Sequence, residues 1–474
     1  VTTKALLLAM PLAISLSGCT VGPDYHPPVA ATGETWVAPV STAEVDAAWW
    51  TRFGDPLLTE LVESAIAGNK DLEEATARLR EARANRDAVL GGRAPQLVAS
   101  AAATRNRLSE NGLLPVGRVP GLGPDVDIYD AGFDASWEID LWGRMKRATQ
   151  SAEARAQATE EARRAVVIQI IAEVVRTYID LRAAQSLRAN AIVDANAQQE
   201  IARLVADRLR VGLASRLDLV RAQAQAGSTA ATVPGYEADA AAAAFRLTLL
   251  LGRRPEELND RLRQPGSLPQ VNFEIKAGLR SDLLRRRPDI RQAERDLAAS
   301  TADVGVATAD LFPRLSLFGG IGQQARDPGD LFSADSLRFQ FGPPLRWPIF
   351  SGGRIRAQIR AADARADAAM VRYERAVLGA LSDSETAINR YTANSRIRVE
   401  RNEARAAAAD AVRLARQRYL AGEDDLIVLL QAQMSFTAAD RLNIQALAVE
   451  LQQLTALYKA LGEGWETLDD AIPG

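Results

Sequence analysis

From Tyr129 to Leu141 the chain alternates strictly. Tyr129, Ala131, Phe133, Ala135, Trp137, Ile139 and Leu141 interleave with Asp130, Gly132, Asp134, Ser136, Glu138 and Asp140. A second stretch repeats the theme: Leu337, Phe339, Phe341, Pro343, Leu345, Trp347 and Ile349 against Arg338, Gln340, Gly342, Pro344, Arg346 and Pro348. Leu315, Leu317, Gly319 and Ile321 alternate more weakly, and Gln96 to Arg107 more weakly still. A period of two predicts β-strands with one apolar face. Pro removes a ladder donor, so the last strand is expected to end before Pro343, with the remainder leading into a helix. Strands of about 9–11 residues with apolar-out, polar-in alternation suit a transmembrane barrel, although a half-buried strand of a soluble sheet shows the same pattern.

Between these segments the pattern changes to a helical one. A span from Met145 to Val211, 67 residues, contains no Pro, and its counterpart runs from Ile355 to Ala421. At ~1.5 Å per residue the first is a helix about 100 Å long. Val167, Ile171, Val174, Tyr178 and Leu181 step by four and three, and Val377, Leu381, Ile388 and Tyr391 hold equivalent places. That spacing predicts coiled-coil packing. Ile168, Ile170, Val175 and Ile179 widen the apolar surface beyond one seam, so the helix is expected to have neighbours on more than one side. Shorter helical stretches are predicted from Leu57 to about Leu90 and from Leu279 to about Leu311.

The second half of the chain repeats the first. A shift of 210 carries Gly212 onto Gly422, Ala222-Gln223 onto Ala432-Gln433, Leu251-Gly252 onto Leu461-Gly462, and Trp137 with Gly143-Arg144 onto Trp347 with Gly353-Arg354. Upstream of about Leu97 the shift becomes 218, which reads as a loop-length difference. Each repeat is therefore expected to hold a helix, two strands and a long helical hairpin. Turns close the hairpins at Gly212-Leu213-Ala214-Ser215 and Gly422-Glu423-Asp424-Asp425, with Gly as left-handed C-cap and Ser or Asp as the next N-cap. Four strands leave edges that hydrocarbon does not tolerate, so sister copies are expected to complete the sheet. Three copies give twelve strands, but the sequence does not dictate that number.

Composition narrows the chemistry. The 474 residues carry 57 Lys+Arg and 60 Asp+Glu, a formal charge of -3, which offers no general attraction to nucleic acid. The single Cys and single His, Cys19 and His26, both lie near the start. Intramolecular disulfides, Cys/His zinc sites and a His-based triad in the body of the chain are thereby excluded, and no enzyme activity, metal site or bound cofactor is expected. Lys4, an apolar run to Leu16 and then Ser17-Gly18-Cys19 read as a lipoprotein signal peptide, residues 1–18, with covalent lipid on Cys19. Thr20 rather than Asp after the Cys favours the outer membrane.

The chain resembles the TolC-like outer-membrane efflux factors, specifically the OprM/NodT lipoprotein branch, over essentially its whole length. The likeness is carried by Cys19-Thr-Val-Gly-Pro-Asp-Tyr-His-Pro-Pro28, Trp49-Trp50 with Phe53 and Asp55-Pro56-Leu57, and Arg286-Arg287-Pro288-Asp289-Ile290-Arg291-Gln292-Ala293-Glu294. Phe312-Pro-Arg-Leu-Ser-Leu317, Trp347-Pro-Ile-Phe-Ser-Gly-Gly-Arg354 and the closing Tyr458-Lys-Ala-Leu-Gly-Glu-Gly-Trp465 add to it. The resemblance implies a mostly α protein with a trimeric, 12-stranded outer-membrane β-barrel continued by a helical periplasmic tunnel. It implies the exit duct of a tripartite efflux system, working with a periplasmic adaptor and an inner-membrane transporter of the resistance-nodulation-division class to pass drugs or other small toxic compounds. The domains expected are a lipid-anchored extension at 19–56, repeat 1 at 57–260 and repeat 2 at 261–474. Phe133, Trp137, Phe339 and Phe341 are expected to face lipid. Val211, Gly212, Leu213, Ala214 and Ser215 match the adaptor-contacting tip, with Gly422 and Glu423 opposite.

One departure from the family pattern falls at the resting gate. Gln431 and Met434 stand where related ducts carry an Asp and an Arg. Asp424 and Asp425 lie nearer the tip and are expected to form an acidic ring that sets cation preference, unless Asp424 simply caps the helix. A type I protein-secretion duct and a lipid-anchored periplasmic coiled-coil scaffold are the alternative readings.

Overall fold

In the computed structural model of the chain, the residues described are 20–30, 32–33, 35–38, 40–43, 46–109, 123–257, 260–271 and 276–466. The signal peptide and Cys19 lie outside them. In chain order the main elements are α1 (Pro56–Gly68), α2 (Lys70–Gly91), β1 (Gln96–Arg107), β2 (Asp125–Ile139), α3 (Arg144–Arg210), α4 (Arg216–Ala230) and α5 (Val233–Leu250). They continue with α6 (Pro288–Ala309), β3 (Arg314–Ala325), β4 (Leu337–Gly342), β5 (Leu345–Arg346), α7 (Arg354–Ala421) and α8 (Leu426–Leu461). The chain is mostly helical, with a set of antiparallel strands. Two compact units are made of residues 1–29, 79–159 and 293–373, and of residues 30–78, 160–292 and 374–474.

The two long helices fall within a residue of their expected limits. Asp140 starts α3 by accepting hydrogen bonds from the Met145 and Lys146 backbone N–H groups at 3.0 and 2.8 Å, satisfying donors that a helix leaves orphaned. Three expected helical stretches are broken instead. Asn69 separates α1 from α2, its side chain accepting from the Asp71 and Leu72 N–H groups. Pro288 opens α6 after a single turn at Leu283–Arg286. The helix after the first tip divides at Ala231 and Thr232, because Pro234 has no N–H to continue the ladder.

In the first unit the strands form an antiparallel sheet in the order β1-β2-β3-β4, with the short β5 also on β3. β4 ends at Gly342, as Pro343 requires. The segment after Cys19 is strapped to this unit by Arg147. Buried to 3% exposure, its guanidinium donates to the Val21 and Gly22 carbonyls and to Asp24.

In the second unit the coiled-coil seam is a true core. Val167, Ile171, Val174, Tyr178 and Leu181 are buried, as are Ile168, Ile170, Val175 and Ile179. The second apolar set thus has the neighbours its pattern demanded. The motif around Arg286 clasps the Tyr458–Trp465 motif. Arg286 pairs with Glu463 at 2.9 Å, its carbonyl accepts from the Trp465 indole N–H, and Arg287 donates to the Ala460 carbonyl. The guanidinium groups of Arg164 and Arg291 both lie over the Trp465 ring, at 4.5 and 5.2 Å from its centre. Two of the most distinctive sequence motifs therefore explain each other structurally. Trp49 stacks on Tyr458 at 5.0 Å, which binds the first aromatic pair to the same region.

Candidate functional site: sheet faces and hairpin tips

Pairing register decides what the alternation means. Phe133 lies opposite Ile321, which lies opposite Phe339; Trp137 faces Leu317, and Phe341 faces Gly319. Residues directly opposed across an antiparallel pair point to the same face. Phe133, Trp137, Phe339 and Phe341 therefore share one face with Leu97, Ala99, Ala101, Ala103, Tyr129, Ala131 and Ala135. Gln323 is the polar exception in that field. This large apolar surface is open: Phe339 is 67% exposed and Phe341 73%. It stops at one end in two charged cross-strand pairs, Arg105 with Asp127 at 3.8 Å and Arg107 with Asp125 at 3.5 Å.

The opposite face carries Asp130, Asp134, Ser136, Glu138, Gln324, Arg338 and Gln340. Arg338 forks onto Asp130 at 2.8 and 2.6 Å, and Gln324 donates to the same carboxylate at 3.0 Å. Glu138 takes a second fork, from Arg144, at 2.9 and 2.8 Å. Gly132 and Gly322 meet across the pair, where a Cβ on Gly132 would lie 2.7 Å from the Ile321 carbonyl oxygen. Among the described residues the outer edges of β1 and β4 have no partner strand.

The hairpin tips share one construction. Gly212 and Gly422 both sit at φ +78°. At the first tip the Leu213 N–H donates to Arg208 O and the Gly212 N–H to Leu209 O; at the second, Glu423 reaches Arg418 O and Gly422 reaches Tyr419 O. This is the paired closure that a left-handed glycine permits at a helix end. Ser215 and Asp218 form a reciprocal capping box on α4. On α8 the cap is Asp425, which accepts from Val428 N–H at 3.2 Å. Asp424 does not cap, contrary to the simpler reading of it: one residue too early to reach α8, it turns back to Arg418, which donates to it at 2.6 and 3.1 Å.

The two tips also hold each other. Ile201, Val205, Ala222, Ala415, Tyr419, Leu426 and Leu429 form a small core, with Ala214 packed against it. Arg208 donates to the Tyr419 carbonyl at 2.8 Å and lies 4.5 Å above its ring. Val211 and Leu213 are 69% and 68% exposed, and Met434 is half exposed; Gln431 is exposed too. Sequence reasoning missed the Asp130–Arg338 fork and the Arg208–Tyr419 link. The residues were visible, but only the register and the packing of two hairpins bring them together. Among the described residues no group of three or more His, Cys, Asp or Glu side chains could hold a metal ion.

Comparison with known proteins agrees with this architecture. The profile of the outer membrane efflux protein family matches residues 61–253 and again 279–463. Nodulation protein T of Rhizobium leguminosarum bv. trifolii is 30% identical over 464 residues, covering 96% of this chain and 97% of that protein. Outer membrane protein OprJ of Pseudomonas aeruginosa is 32% identical, covering 97% and 95%. The structure of the outer-membrane channel OprN superposes with a TM-score of 0.87 at 39% identity, over 94% of this chain and all of that one. The protein works in efflux at the outer membrane, and the chain belongs to the outer membrane efflux protein family.

Proposed function

We propose that three copies of the chain form a closed duct: a 12-stranded barrel in the outer membrane, four strands from each copy, continued by a helical periplasmic tunnel. The carrying observation is the register that gathers most of the strands' large apolar residues onto one open face while, among the described residues, both sheet edges stay unpaired. From Tyr129 to Ile139 the apolar field spans roughly 35 Å of strand, which a tilt of ~40° reduces to about 26 Å, matching the ~25 Å apolar band of outer-membrane barrels. The charged pairs of Arg105 and Arg107 fall where that band ends. The face bearing Phe133, Trp137, Phe339 and Phe341 then meets lipid, and the face of Asp130 and Arg338 lines the lumen.

Two separate matches to one family profile support a duplicated chain, with repeats at 57–260 and 261–474. Residues 1–18 serve as signal peptide, and Cys19 carries lipid ahead of the extension at 19–56. The exposed tip Val211-Gly212-Leu213-Ala214-Ser215, with Gly422 and Glu423, docks a periplasmic adaptor, through which an inner-membrane transporter of the resistance-nodulation-division class delivers drugs or other small toxic compounds. Passage is passive, without reaction chemistry or cofactor. At the mouth, Arg418 offsets part of the charge of Glu423, Asp424 and Asp425. A net acidic ring remains ahead of the uncharged Gln431 and Met434, and it favours cations. A periplasmic scaffold would leave the apolar sheet face without purpose.

The test is conductance of the purified protein in planar lipid films, together with drug and metal susceptibility of a deletion strain. Stepwise channel currents and increased susceptibility are expected. A protein that neither conducts nor changes susceptibility to any compound refutes the duct.

A further inference from the structure

The break between α4 and α5 has an effect on its surroundings. It opens a cavity of about 210 Å³ in the seam where the first hairpin meets α8, lined by Asp194 of α3, Gln225 and Thr229 of α4, Tyr236 of α5, and Thr437 and Arg441 of α8. Asp194 is 2% exposed, and among the described residues it has no ion-pair partner. The charges that face this region are accounted for otherwise. Asp440 of α8 is taken by Arg405 of α7. Among the described residues Arg441 lines the cavity without bridging to Asp194, and α4 contributes only uncharged side chains to it. One turn beyond Asp194, the buried Gln198 Oε1 has no hydrogen-bond partner. The seam therefore holds a carboxylate that no cation pairs among the described residues, in a space large enough for water to enter.

We propose that Asp194 is a proton-operated latch: protonated, it lets α8 pack against α3, and ionised, it drives the seam to part and hydrate. The latch goes beyond the duct reading and rests on the seam alone. Burial pushes the Asp194 carboxyl up to about 6; the Asp440 charge adds to the rise, and the Thr437 hydroxyl opposes it. In the parted seam the group is solvated and returns to its ordinary value of 3.8. The packed form consequently binds more protons between those values. It is favoured most below 3.8, loses ground as pH rises towards about 6, and changes no further above.

The experiment is amide hydrogen exchange of Met434 to Asp440 in the full-length protein, corrected for intrinsic rates. In the wild type, exchange should quicken by about tenfold per pH unit from about pH 4 to about 6 and then level off. Asp194→Asn should exchange slowly at every pH and melt no lower than wild type at neutral pH. A wild type without this pH dependence, an Asp194→Asn that keeps it, or an Asp194→Asn that melts below wild type overturns the latch.

Discussion

Gly212 and Gly422 show how much a single backbone angle can decide. Each turns the chain at φ +78°, which a Cβ makes unfavourable. Gly212→Ala should cost on the order of 1 kcal/mol, and Asp425→Ala, which strips α8 of its cap, should cost about as much. Thermal melts of the two single variants and the double check this. The two caps share no hydrogen bond, but their tips pack on one core, so the double variant reads any coupling between them, and a melting point unmoved by either change contradicts the caps described here. The caps were legible residue by residue, because Gly followed by Ser or Asp serves the local chain whatever its neighbours. The choice between Asp424 and Asp425 was not legible. Both can cap, and only the reach of Arg418 separates their tasks.

At the scale of elements, the strands and long helices follow from periodicity, since a face must be apolar at every second or every third-to-fourth position to be buried. Helix breaks were harder to read. Asn69 interrupts a continuous-looking pattern because its side chain satisfies the next helix's first N–H groups, and Pro234 acts through a donor it lacks. The two sheet faces make a paired prediction. Phe133→Arg places a charge on the apolar face, where lipid would cost about 2–4 kcal/mol near mid-bilayer. Gln340→Arg places the same charge on the polar face at little cost. Folding into lipid vesicles, followed by heat-modifiable migration, should fail or weaken for the first and proceed for the second. Equal behaviour of both variants would mean that the apolar face meets something other than lipid.

For the whole molecule, the sheet of the described residues ends in two open edges. Among the described residues the outer-edge amides of β1, Gln96–Arg107, and β4, Leu337–Gly342, have no partner strand. In the proposed trimer a sister copy pairs them. Their exchange should be slow in the assembled protein and fast after dissociation by a strong detergent, while the inner β2–β3 pairing stays protected longer. Edge amides that exchange freely in the native, membrane-extracted protein would leave no closed barrel.

The sequence by itself determined the alternating strands, the two helices of nearly seventy residues, the internal shift of 210 and the glycine tips, because each depends on near neighbours or on self-similarity. Tertiary structure alone decided which residues share a face, which acid caps and which pairs, and where a carboxylate is buried with no cation paired to it among the described residues. Asp130 meets Arg338, 208 residues away, only through strand register, and Asp194 becomes isolated only when α8 closes over it. Such relations arise from contacts between segments remote in the chain, and no local pattern encodes them.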